Sequence, residues 1–175
     1  MNTRILVFLS LLIGIGAVLH AVIPPFFFGM RPDMMLAMMF LGIILFPKLS
    51  YVFVLSIATG LMSALTTTVP GGQLANLVDK PLTALAFLGM FLSLKKILKE
   101  TAAPVLTAIG TIISGSIFLS FVLFFAGIME ASFGVMFITV VLPAAAVNTI
   151  AMIIIYPIAQ NIMKRTHYAQ SMSVS

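Results

Sequence analysis

Two charged pairs, Arg31 with Asp33 and Asp79 with Lys80, stand apart in this chain, each set between long apolar runs. His20, Gln73, Asn76 and Asn148 are uncharged polar groups that fall at a comparable depth in the pattern. Side chains of these types can line a binding pocket. They are a poor set for catalysis, which needs a nucleophile with a base, or clustered acids with histidine. The four acids are widely spaced, and His20 and His167 are far apart in sequence and make a poor metal pair. There is no cysteine, which excludes disulfides, thiol catalysis and thiolate-bound metals. The pattern argues against an enzyme and implies no cofactor. Each polar group also has a plain structural use. Arg31 and Asp33 can anchor a membrane interface and cap the next helix, and Asp79 with Lys80 can pair locally at a helix start. Asn148 can bridge helices, and His20 can be a structural hydrogen bonder.

The elements that must position these groups are membrane helices. Hydrophobic residues make up 62% of the 175, and the mean hydropathy is +1.25. A water-soluble domain of this size cannot hide that much apolar surface, so the bilayer is the solvent and the fold is all-α and polytopic. Apolar runs between Pro, Gly and charge breaks predict six transmembrane helices, roughly Ile5–Ile23, Met34–Phe46, Tyr51–Thr68, Leu82–Leu94, Ala102–Ile128 and Phe133–Met163. The first run could pass for a signal peptide, but the chain stays equally apolar after it and it reads as a membrane helix. A span needs about 20 residues, so the second and fourth runs are short. The expected organisation is a single transmembrane domain over residues 1–165 and a short cytoplasmic tail over 166–175.

The net charge of +5 sits at helix ends, where it orients a membrane protein, so nucleic acid is discounted as a partner. Arg4, Lys48, Lys95, Lys96, Lys99, Lys164 and Arg165 share one side if six helices alternate, against Arg31 and Lys80 on the other. That bias places both termini in the cytoplasm. The two outward connections, Pro24–Asp33 and Thr66–Lys80, are rich in Pro or Gly and read as irregular segments that dip inward over a pocket. No predicted span holds a central Asp or Glu, which disfavours simple proton symport. Pro143 cannot donate to the Thr139 carbonyl, so a kink or a free acceptor is expected there. A weak internal echo repeats Ala37, Phe40, Leu41, Gly42, Leu45 and Lys48 as Ala84, Phe87, Leu88, Gly89, Leu92 and Lys95. Gly14, Ala17 and Ala21 form a slim face on the first helix, suited to internal packing or to docking a separate membrane subunit. Gly110, Ser114, Gly115 and Ala144 to Ala146 read as internal packing positions.

Several stretches together resemble the bacterial tryptophan transporter family of the TrpP type. They are Gly16-Ala17-Val18-Leu19-His20, Ile23-Pro24-Pro25-Phe26, Gly29 to Met35, Ser63 to Thr67, Pro70 to Gln73, Leu142-Pro143-Ala144, Val147-Asn148-Thr149 and Tyr156-Pro157. The resemblance implies uptake of L-tryptophan across the bacterial cytoplasmic membrane. It also implies a bundle similar to the substrate-binding subunits of energy-coupling-factor transporters, where small residues on the first helix meet a coupling subunit driven by ATPases. A homodimer is the other partner the small-residue face allows. For an aromatic zwitterion, Arg31 or Lys80 would take the carboxylate and Asp33 or Asp79 the ammonium. Phe26, Phe28 and Met34 would wall the indole, the phenylalanines alternatively serving as lipid-facing anchors. Gln73, Asn76 or Asn148 would accept the indole N–H. The competing functions are a binding subunit for another hydrophobic small molecule, such as a vitamin, and a structural or assembly protein without a ligand.

Overall fold

The computed structural model describes residues 1–24, 33–125 and 132–165. Among these residues every regular element is helical. Helix α1 (Thr3–Val22) is capped by Asn2, whose side chain accepts from the Arg4 N–H. Helix α2 (Met34–Leu45) is capped by Asp33, which accepts the Leu36 N–H at 3.1 Å. Then follow α3 (Leu49–Thr66), α4 (Gly72–Leu98), a 3₁₀ turn (Lys99–Thr101) and α5 (Ala102–Ser120), which runs on into a π-helical turn (Phe121–Phe125). A short α6 (Phe133–Met136) passes through a second π-helical turn (Phe137–Val141) into α7 (Leu142–Arg165).

Five of these rods are long and apolar enough to cross a membrane; α2 is the shorter apolar helix. Its twelve residues rise only about 18 Å. Every residue from Met34 to Ile44 is buried, because α2 packs against α1, α3, α4, α5 and α7. A helix that is apolar all round has no face to give to water, and here it forms the axis of the bundle. The outside is apolar too: Val7, Leu11, Leu65, Leu74, Ile150 and Ile154 are exposed. Thr59, Asn76, Asp79, Lys80, Thr111 and Asn148 are buried. Apolar outside with polar groups inside is the arrangement lipid favours, and the chain is a multi-pass membrane protein.

The fourth element corrects the sequence reading. The segment before Leu82 is not an irregular roof: helix begins at Gly72, after Gly71 turns the chain in a left-handed conformation (φ 71°), and runs for 27 residues. Pro81 lies inside it. A proline removes one ladder hydrogen bond, which neighbouring helices can compensate in a membrane bundle. Asp79 and Lys80 therefore sit two turns inside a membrane-length helix. For the same reason α4 carries an acid, Asp79, in its first third rather than at its centre. At Pro143 the expected irregularity takes the form of the π-helical turn Phe137–Val141 just before it.

The face Gly14, Ala17, Ala21 is mostly turned outward, with Gly14 and Ala21 exposed and Ala17 half-buried. A Cβ on Gly14 would meet nothing within 4 Å. Phe40 and Phe87, equivalent positions in the sequence echo, stack in the core with centroids 4.1 Å apart and planes 6° from parallel. Gly110 lets α5 close over this stack. A Cβ there would lie 2.7 Å from Phe40 and 2.8 Å from Phe87, and two fully buried stacked rings have little room to yield. Gly110→Ala is expected to destabilise by about 1–3 kcal/mol, read as a lower melting temperature in detergent. The matching control, Gly89→Ala, has open space around it and is expected to be neutral or slightly stabilising.

Candidate functional site

The helix ends that carry the polar groups meet around a cavity of about 110 Å³. One water needs roughly 10–15 Å³ of such space, so this volume suits a small organic molecule. The cavity lies where α1 and α3 end and α2 and α4 begin, and α5 and α7 close the opposite wall.

Helix periodicity explains the charged side. Asn76, Asp79, Lys80 and Thr83 fall at i, i+3, i+4 and i+7 of α4, one face, and all four are buried. Lys80 Nζ stands 2.6 Å from Asp33 Oδ2 and 2.7 Å from Asp79 Oδ2, bridging the start of α2 to α4. Asp79 also accepts from Thr83 Oγ1 at 2.7 Å and from Ser114 Oγ on α5 at 2.6 Å. Buried ions are tolerated only when paired and hydrogen-bonded in this way. The formal charge of the triad is one negative, two carboxylates against one ammonium. Asn76 gives its amide protons to the Ser63 and Gly72 carbonyls, at 3.3 and 2.9 Å, and ties the end of α3 to the start of α4.

The opposite side is mostly apolar. Val69, Phe118, Leu119, Val140, Val141 and Ala144 face the cavity. The π-helical turn supplies Val140 and Val141, and a Cβ on Gly115 would collide with Val141 at 2.6 Å, so glycine is what lets α5 meet this turn. Asn148, one helical turn beyond Ala144, donates to Thr111 Oγ1 at 3.3 Å. An ionic pole and a neutral amide thus flank an apolar wall. Such a lining has the chemistry to take a zwitterion with an aromatic or aliphatic side chain.

Of the residues singled out from the sequence, His20, Asp33, Asn76, Asp79, Lys80 and Asn148 line this one cavity. Met34 is buried in the core and does not line it, and Gln73 is exposed on α4. Phe26, Phe28 and Arg31 lie outside the described residues. The sequence reading missed Ser63, Thr111, Phe118 and Val141, and treated Ser114 and Ala144 as packing positions. A clue was present in α5, where Thr107, Thr111 and Ser114 recur on one buried face.

Comparison with known proteins identifies the family. Residues 2–164 match the family model described as tryptophan transporter TrpP. A probable tryptophan transport protein of Bacillus subtilis (strain 168) is 52% identical over 98% of this chain and 99% of its own length. Another of the same description, from Clostridium acetobutylicum, is 40% identical over 94% of this chain and 96% of its own length. No solved structure matches the chain. With a family model spanning nearly all of it, and relatives this similar along their full lengths, the chain belongs to the tryptophan transporter family TrpP.

Proposed function

We propose that this protein takes up L-tryptophan across the bacterial cytoplasmic membrane and binds it in the cavity between α2, α4, α5 and α7. The observation that carries the reading is the Asp33–Lys80–Asp79 triad, its lysine and Asp79 buried and Asp33 partly open, set opposite an apolar wall. The surplus negative charge attracts the substrate ammonium, with Asp33 as its acceptor. Lys80 uses two of its three protons on the acids, and the third is free to meet the substrate carboxylate. Arg31, two residues before Asp33, is a second cation for that carboxylate. Among the described residues, Phe118, Val141 and Ala144 offer an apolar wall for the indole. The clustering of Arg4, Lys48, Lys95, Lys96, Lys99, Lys164 and Arg165 at alternate helix ends supports cytoplasmic termini and a cavity in the outer half of the bundle. The outward face of Gly14, Ala17 and Ala21 is where a coupling subunit, or a second copy of the chain, can approach α1 closely.

The test is calorimetry on the purified protein in detergent with L-tryptophan, using L-phenylalanine and riboflavin as controls. Tryptophan is expected to bind at micromolar concentration or tighter, with at least about tenfold preference over phenylalanine. No heat from tryptophan with folded protein would sink the reading, and riboflavin binding would favour a vitamin carrier.

A further inference from the structure

The amide of Asn148 is oriented by its neighbours, and that orientation leaves one atom unserved. Thr111 has a single hydroxyl proton, which goes to the Thr107 carbonyl at 2.8 Å. Thr111 Oγ1 can then only accept from Asn148, so the amide must present its Nδ2 to α5. Asn148 Oδ1 is left without a hydrogen-bond partner, although the residue is fully buried and lines the cavity. A buried carbonyl without a donor is costly, and a ligand that brings an N–H to it removes that cost.

The position of this acceptor selects which N–H it meets. Ser114 contacts Asp79 and Thr111 contacts Asn148, so the ionic pole and the neutral acceptor are about 4.5 Å apart along α5, one turn. Val141, at the end of the π-helical turn, and Ala144 on α7 precede Asn148 at three- and four-residue spacing, so this cavity-lining face ends in the amide. A ligand whose amine is held by Asp33 lays its side chain along Val141 and Ala144 and reaches Asn148 with the far edge of its ring.

We propose that Asn148 is the specificity-determining residue of this site, its Oδ1 accepting the indole N–H and so distinguishing indole from aromatic rings that carry no donor. The proposal rests on the cavity being the tryptophan site. It applies to this residue rather than to Gln73, which is exposed, or Asn76, which shares the ionic face of α4 with Asp79 and Lys80.

The test compares L-tryptophan with L-3-benzothienylalanine, in which sulfur replaces the indole N–H at nearly constant shape, by calorimetry on the purified protein. The wild type is expected to prefer tryptophan by about tenfold or more. Asn148→Leu is expected to bring the two affinities within about twofold, mainly by weakening tryptophan. Asn148→Ser, whose hydroxyl is too short to reach, gives the same result should the leucine variant fold poorly. Equal binding of the two ligands by the wild type, or an unchanged ratio in folded variants, overturns the assignment while leaving the tryptophan site intact. A wild type that binds neither ligand instead overturns the function on which the assignment rests.

Discussion

In a Lys80→Met variant the melting temperature in detergent is expected to fall by the equivalent of roughly 3–5 kcal/mol, with tryptophan binding lost. Lys80 is 2% exposed and Asp79 is 0% exposed, so the ammonium and its carboxylate have both left solvent. Methionine fills much of the lysine volume but leaves two acids facing each other across α2 and α4 without the ammonium that bridges them. Thr83 and Ser114 still donate to Asp79, yet neutral donors do not cancel its charge. The damage comes from the stranded carboxylates rather than from a lost attraction, and this is testable. A triple variant, Asp33→Asn, Asp79→Asn and Lys80→Met, carries no net charge at the site and is expected to recover most of the lost stability. Tryptophan binding is expected to stay absent in it. A single variant that melts like the wild type would mean that the triad is not buried as described.

The membrane class and most helices were legible because lipid demands apolar length, and length survives in composition. The start of α4 was not, for a reason particular to membranes. Its buried face is the polar one, Asn76, Asp79, Lys80 and Thr83, while Leu74, Leu77, Leu82 and Leu85 face outward. Read as though water were outside, the polar stripe and Pro81 look like the end of a loop, and Pro70-Gly71-Gly72 strengthens that impression. Gly71 does turn the chain, but the helix starts at once. Asp33 and Lys80 were both placed at the same end of the bundle, but each was read beside its sequence neighbour, Arg31 or Asp79, rather than with the other. What the sequence could not supply was the partner wall.

Hydroxyl residues explain much of that gap. In α5, Thr111 and Ser116 donate to carbonyls one turn back, and Thr149 does so in α7. A serine or threonine in an apolar helix can satisfy itself this way, so its presence alone does not mark a site. Ser114 differs because it donates across the bundle to Asp79, and only the packing of α5 on α4 brings them together. The π-helical turn before α7 is similar: Pro143 signalled an irregularity, but not that it would deliver Val140 and Val141 to a cavity.

Asp33→Ser is expected to weaken tryptophan binding by roughly tenfold to a hundredfold, the range for losing a hydrogen bond to a charged group, while hardly changing the melting temperature. Two roles meet in this residue, and serine separates them. As a helix cap, Asp33 accepts the Leu36 N–H, and a serine hydroxyl does this nearly as well. Asp33→Ala loses the cap as well and is expected to cost about 0.5–2 kcal/mol more. As a charge, Asp33 is the acid a ligand can reach, because its side chain is 23% exposed whereas that of Asp79 is enclosed. Removing it leaves Lys80 paired with Asp79 and takes the triad from one negative charge to none. Indole-3-propionate, which has the carboxylate and ring of tryptophan but no amine, should therefore bind the serine variant at least as well as the wild type. If tryptophan and indole-3-propionate weaken together, the carboxylate of Asp33 is shaping the cavity rather than holding the ammonium. A loss confined to tryptophan ties the surplus negative charge of the triad to the amine of the substrate.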